Sequence, residues 1–344
     1  MTIPAGPPYG YGYPPPPPPK PGVIPLAPLG LSEILTGAFA TLGRYWKPLL
    51  GVAAAAYAGA FLVVAAAAGI AFAVVGGHLR ALFDLSDDQS AEWADMGPVL
   101  GGFFFVWAVG MLALLGAATL VAAACPVVVQ EAVLGRPATV RTVWGRTWAR
   151  VPAVFGTGLL TGLLLLVPFA LMTLAFVATL VTVADGDDSS PVWPLLAVGG
   201  ILAFAPVAVW LWTKFAFAPV VAVMEKQGVI ASMRRSSHLV RGSWWRVFGF
   251  LLAASVLASV ITGIIQQALG VIAAIPMAVS DFGGSDTLPL TPLVVIGLLA
   301  LVQVLVQGLA SLFPPLVTSL LYVDQRIRRE NLAADLARAV ETPY

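Results

Sequence analysis

Apolar residues along this chain gather in six long runs, at about residues 48–76, 98–127, 151–183, 194–223, 247–279 and 292–322. A run of roughly 18 or more apolar residues is long enough to cross a bilayer as a helix. Several runs approach thirty residues. At ~1.5 Å rise per residue such a helix is about 45 Å long, against a hydrocarbon core of roughly 30 Å. These helices are therefore expected to tilt, kink or extend into the headgroup region.

The polar segments between the runs repeat. RRSSHLVRGSWWRVFG, residues 234–249, has relatives in GAFATLGRYWKPLLG at 37–51 and RTVWGRTWARVPAVFG at 141–156. Each is a basic, tryptophan-containing stretch directly before an apolar run. Lys47, Arg150 and Arg246 mark equivalent points, 103 and 96 residues apart. The stretches are amphipathic. Leu31, Ile34, Leu35, Ala38, Phe39 and Leu42 recur at helical spacing, and Ile230, Met233, Val240 and Trp244 share one face while Arg234, His238 and Arg241 share another. Such a helix lies in the membrane interface, cations toward anionic headgroups. Trp46, Trp144, Trp148, Trp244 and Trp245 would sit at headgroup level.

The second run of each pair ends alike, in ACPVVVQEAVLGR at 124, FAPVVAVMEKQG at 217 and FPPLVTSLLYVDQRIRR at 313. Pro126, Pro219, Pro314 and Pro315 are expected to kink these helices near their inner ends. The expected fold is all-α, with six transmembrane helices in three repeats of one orientation, each opened by an amphipathic interfacial helix. The repeats span about 30–131, 132–225 and 226–330; residues 1–29 and 331–344 are tails.

Composition narrows the class. Of the 344 residues 59% are hydrophobic and 10% charged. A soluble domain carries about 25% charged residues, so a water-soluble chain of this length is excluded. Net charge is +1, which gives no footprint for nucleic acid. The single cysteine, Cys125, forms no intrachain disulfide and no thiolate metal site. The first thirty residues, with six consecutive prolines from Pro14 to Pro19, read as a Pro/Gly/Tyr tail rather than a signal peptide.

Of 18 Lys and Arg residues, Arg80 lies in an expected outer loop and Lys214 within a run. The remaining 16 lie toward the two chain ends, before residue 48 and after residue 322, and in 128–150 and 224–246, whereas Asp84, Asp87, Asp88, Glu92, Asp95, Asp185, Asp187, Asp188, Asp281 and Asp286 mark the other side. The positive-inside rule then places both termini in the cytoplasm and the protein in the cell membrane.

The sequence PLGLSEILTGAFATLGRYWKPLLG, the stretch GVIASMRRSSHLVRGSWWRVFG and the ending LLYVDQRIRRE, over about residues 23–330, resemble the membrane domain of some glycerophosphoryl diester phosphodiesterase proteins. They resemble more closely a group of uncharacterised actinobacterial integral membrane proteins that share that domain. The resemblance implies a multispan membrane domain. In such phosphodiesterases catalysis belongs to a separate soluble barrel, for which this chain leaves no room, so no enzymatic activity is carried over.

No catalytic constellation appears among the residues. His78 and His238 are expected on opposite sides of the membrane, and H-E-x-x-H, G-x-S-x-G and a P-loop are absent. No cofactor, metal or enzymatic activity is expected. Two groups of residues are candidates for binding. Arg141, Arg146, Arg234, Arg235 and Arg241 either set topology or contact an anionic lipid or a protein partner. Lys214 lies 12 residues before Lys226, roughly 18 Å deeper along a helix. It either forms an intramembrane polar site with Gln266, Gln267, Gln303 and Gln307 or sits near the headgroups. The expected function is a non-enzymatic scaffold or accessory protein that engages anionic lipid or, through its Pro-rich tail, cytoplasmic partners. The alternative is a transporter or lipid-handling protein built around Lys214.

Overall fold

The computed structural model describes residues 22–25, 27–83, 93–184, 192–280 and 290–330. Pro14 to Pro19 and most of the expected acidic loops lie outside the described residues, whereas Val23, Ile24 and Leu29, expected in the tail, are buried against the helices. The described residues form eleven helices and no strand. They are α1 (Leu31–Arg44), α2 (Trp46–Phe83), α3 (Trp93–Val133), α4 (Val140–Trp148), α5 (Val151–Ala184), α6 (Val192–Phe215), α7 (Ala218–Met224), α8 (Val229–Val240), α9 (Trp244–Ser280), α10 (Leu290–Ala310) and α11 (Phe313–Glu330).

Among the described residues five stretches are long and apolar enough to cross a membrane: Trp46–Arg80, Met96–Val133, Phe204–Met224, Trp244–Ile272 and Gly297–Glu330. A sixth is present if α4 and the first part of α5 are counted together, since their axes meet at 56°. Outward-facing Leu62, Phe72, Phe104, Leu112, Leu163 and Ile264 are exposed, so the long helices carry an apolar belt. No driving force buries such side chains when the surrounding medium is itself apolar.

The core lies toward one end, the end that carries most of the Lys and Arg. There the last turns of α3 (Cys125, Val128, Val129), α7 (Val221, Ala222) and α11 (Leu316, Leu320, Leu321) are fully buried against one another. The short helices dock around this centre: α4 on α3, α8 on α7, and α1 on α11. Within α1 the expected apolar stripe is divided. Ile34 and Ala38 are buried, while Leu31 and Phe39 remain exposed. Within α8, Met233, Leu239 and Val240 are buried while Ile230 is exposed. Of the five tryptophans expected at headgroup level, Trp46, Trp144, Trp148 and Trp245 are exposed and Trp244 is half-buried.

The prolines act differently from a common interior kink. Pro126 lies inside the continuous helix α3. At the other two sites the helix stops and restarts: α6 ends at Phe215 before α7, and α10 ends at Ala310 before α11. Pro219, Pro314 and Pro315 fall in the first turns of the new helices. The first N–H groups of a helix have no intrahelical acceptor, so a proline there removes nothing that was bonded.

Two glycines mark where helices touch. A Cβ on Gly156 would lie 2.6 Å from Val229 at the start of α8, and one on Gly308 would lie 2.9 Å from the Tyr57 ring on α2. Gly158 and Gly162, on the same helix as Gly156, meet nothing within 4 Å.

Candidate functional site: a basic cleft beside a sealed ionic latch

The break between α6 and α7 positions Lys214. It frees the carbonyl of Lys214 and the N–H of Phe217 from regular pairing. The hydroxyl of Ser236 on α8 satisfies both, donating to the Lys214 oxygen at 2.9 Å and accepting from the Phe217 N–H at 3.2 Å. Freed backbone groups in a helix break need such partners. This contact pins α8 beside the break and brings Arg234, His238 and Arg241, spaced i, i+4 and i+7, next to Lys214.

The result is a cleft of about 560 Å³ lined by Trp210, Lys214, Arg234, His238, Arg241 and Trp244, among others. The Lys214 Nζ stands 4.3 Å from the centre of the Trp210 ring, a cation–π distance. Among the described residues no carboxylate lies within ion-pair distance of Lys214, Arg234 or Arg241. The indole N–H of Trp244 is buried and has no hydrogen-bond partner. The cleft therefore offers three uncompensated cations. The Trp210 ring that lines it is exposed. Chemically, this arrangement suits an anion attached to an apolar body.

The expected depth of Lys214 does not set its surroundings. The helix is interrupted after Phe215, and the neighbours of Lys214 come from the basic end. The glutamines are elsewhere. Gln266 and Gln307 line a separate cleft of about 450 Å³ between α9 and α10 with Ser255, Ser259 and Thr262. Gln267 and Gln303 line neither cleft.

The remaining arginine candidates divide. Arg141 is exposed on α4. Arg146 is also exposed but pairs with Glu131 at 2.7 Å. Arg235, next to Arg234, points the other way. Its Nε donates to Glu225 at 3.0 Å, and its guanidinium also pairs with Glu330. Burial acts to lower the Arg235 pKa, but the two carboxylates outweigh it and hold the pKa above the usual arginine value. Arg235 is committed inside the protein.

Glu225 also accepts from the Tyr322 hydroxyl at 2.5 Å, and Arg326 donates to Glu330 at 2.8 Å. Beside this network is a second one, which ties the start of the described chain to its end. Asp324 on α11 is 0% exposed. It accepts from the Leu29 N–H at 2.8 Å, from Arg328 at 3.0 Å and from Arg246 at 3.0 Å. The Leu29 carbonyl accepts in turn from Arg246 at 2.7 Å and Arg328 at 2.9 Å. Asp324, Glu225 and Tyr322 were not singled out in the sequence; the i, i+4 spacing of Asp324 and Arg328 in DQRIRRE is the signal that points to them.

No group of three or more His, Cys, Asp or Glu residues able to hold a metal occurs among the described residues. No curated protein matches the chain, and neither does any solved structure. One family model does match, over residues 80–310, a stretch that takes in the Lys214 cleft but not Asp324; the chain belongs to the family described as Domain of unknown function (DUF8558).

Proposed function

We propose that this chain is a non-enzymatic, multi-pass membrane accessory protein that holds anionic lipid headgroups in the cleft between α6, α8 and α9. The observation that carries the reading is the convergence of Lys214, Arg234 and Arg241 without a carboxylate, beside the exposed Trp210. A phosphate would pair with the cations, while acyl chains would run along the apolar belt.

The same reading takes the fold as three repeats, each an interfacial helix followed by a helical hairpin. The docking of α1, α4 and α8 on the equivalent inner ends of α11, α3 and α7 supports it. So do the exposed indoles, which suit the headgroup level. Both termini then face the cytoplasm in the cell membrane, and the Pro-rich tail is free to engage protein partners there. The resemblance to the membrane domain of glycerophosphoryl diester phosphodiesterase proteins fits a multispan membrane domain.

The test is lipid mass spectrometry on protein purified from native membranes, with a Lys214→Met, Arg234→Gln, Arg241→Gln variant alongside. Wild type is expected to retain an anionic lipid that the variant loses. Equal retention by both defeats the reading. A small solute retained in place of lipid would favour transport around Lys214 instead.

A further inference from the structure

A second basic cleft lies between α3, α4 and α7. Its volume is about 400 Å³, and it is lined by Val127, Gln130, Arg146, Arg150, Val223 and Lys226, with Ala149 completing the wall. Lys226 stands out. Its φ is 56°, and it is the one non-glycine residue at positive φ among the described residues. It is the second residue past the end of α7. The second residue past the end of α3 is Gly135, at φ 70°. Glycine is the usual occupant of this left-handed position because a Cβ there crowds the following carbonyl. The chain thus uses glycine at one helix end and strains a lysine at the corresponding end of another. Strained backbone of this kind gathers at functional sites.

The charge in the cleft is unbalanced. Arg146 has Glu131 at 2.7 Å. Arg150 and Lys226 have no carboxylate within ion-pair distance among the described residues. Glu225, adjacent to Lys226, is turned away and is held by Arg235, Gln227 and Tyr322. Arg146 is two residues from each of Trp144 and Trp148, roughly 200° around the helix from them. Those two indoles stack on each other and are exposed. The cleft therefore opens on the opposite side of α4 from the indoles.

We infer that this cleft is a phosphoryl-binding site, with Lys226, Arg150 and Arg146 as its cations and Gln130 as a neutral hydrogen-bonding group, and that it takes its phosphoryl group from a water-soluble compound. The aqueous source rests on the interfacial placement of α4 proposed above; the phosphoryl chemistry does not.

The experiment uses the full chain in nanodiscs of zwitterionic phosphatidylcholine. Inorganic phosphate and pyrophosphate are titrated by calorimetry into wild type, Lys226→Gly and Arg150→Gln. Loss of one charged hydrogen-bonding partner is expected to weaken binding about tenfold. Lys226→Gly is also expected to raise the unfolding midpoint, because glycine relieves the strained position. A folded, stabilised variant that no longer binds separates ligand recognition from folding. Absence of saturable binding to wild type overturns the inference, and so does unchanged affinity in both variants. Adding phosphatidate to the nanodiscs is expected to leave pyrophosphate affinity unchanged; competition would overturn the water-soluble source. Lys214→Met is expected to bind pyrophosphate normally, which keeps this result independent of the lipid cleft.

Discussion

The Asp324 latch and the Lys214 cleft lie at the same end of the molecule and draw on the same residue types, yet their electrostatics are opposite. In the latch two arginines converge on a carboxylate that is fully buried, and the remaining donors close on the Leu29 carbonyl. In the cleft three cations converge on open space beside the exposed Trp210. A buried charge cluster holds together only when every member is satisfied. An exposed cluster of like charge is tolerated because solvent or a ligand completes it. What separates scaffold from binding site here is the presence or absence of a carboxylate, and the number of arginines tells little.

The sharpest way to break this contrast is at Asp324. Asp324→Ala leaves Arg246 and Arg328 facing a vacated, buried space and orphans the Leu29 N–H. Removing one partner of a buried ion pair costs about 3–5 kcal/mol. Chemical or thermal unfolding of the purified protein should show a loss of that order. A loss below about 1 kcal/mol would match an ordinary exposed pair and would mean that the latch does not hold the two ends of the fold together.

Salt sharpens the comparison with a smaller effect. The cleft cations are open to solvent, so headgroup retention should weaken steeply as ionic strength rises and the screening length falls from about 10 Å at 0.1 M to about 3 Å at 1 M. The latch, whose Asp324 carboxylate is fully buried while its arginines reach the surface, should lose less of its contribution over the same range. Headgroup binding indifferent to salt would indicate that the cleft recognises apolar surface instead.

How much of this was readable beforehand depends on distance along the chain. The long helices were, because eighteen or more apolar residues in succession leave little choice of structure. The short helices were too, because Met233 and Val240 on one side and Arg234 and Arg241 on the other follow the helical period within a dozen residues. The broken helices were half-legible: Pro219 and Pro314 announce a disturbance, but a kink and a restart share that signal. Asp324 was not legible as a latch. Its partners Leu29 and Arg246 are 295 and 78 positions away, and only the packing of α1 and α9 on α11 brings them together. Nor was the separation of Lys214 from Gln266 and Gln307, since all are polar residues in apolar runs. Which of them share a cleft depends on how three hairpins are arranged.

The finest test sets two neighbours against each other. Arg234 and Arg235 are identical in type and adjacent in sequence, and composition gives no reason to treat them differently. On a helix they point about 100° apart, and that angle sends Arg234 into the cleft and Arg235 onto Glu225 and Glu330. Arg235→Gln should therefore destabilise the fold by about 1–2 kcal/mol, the range for a charge-assisted bond at a partly exposed site, and leave lipid retention intact in the folded fraction. Arg234→Gln should change stability by less than about 0.5 kcal/mol, as for a surface substitution, and lower headgroup retention. Unfolding midpoints and bound-lipid ratios, measured on the same two preparations, decide it. If the two variants behave alike, carboxylate pairing does not distinguish scaffold from site, and the arginines of α8 act together as an undivided positive surface.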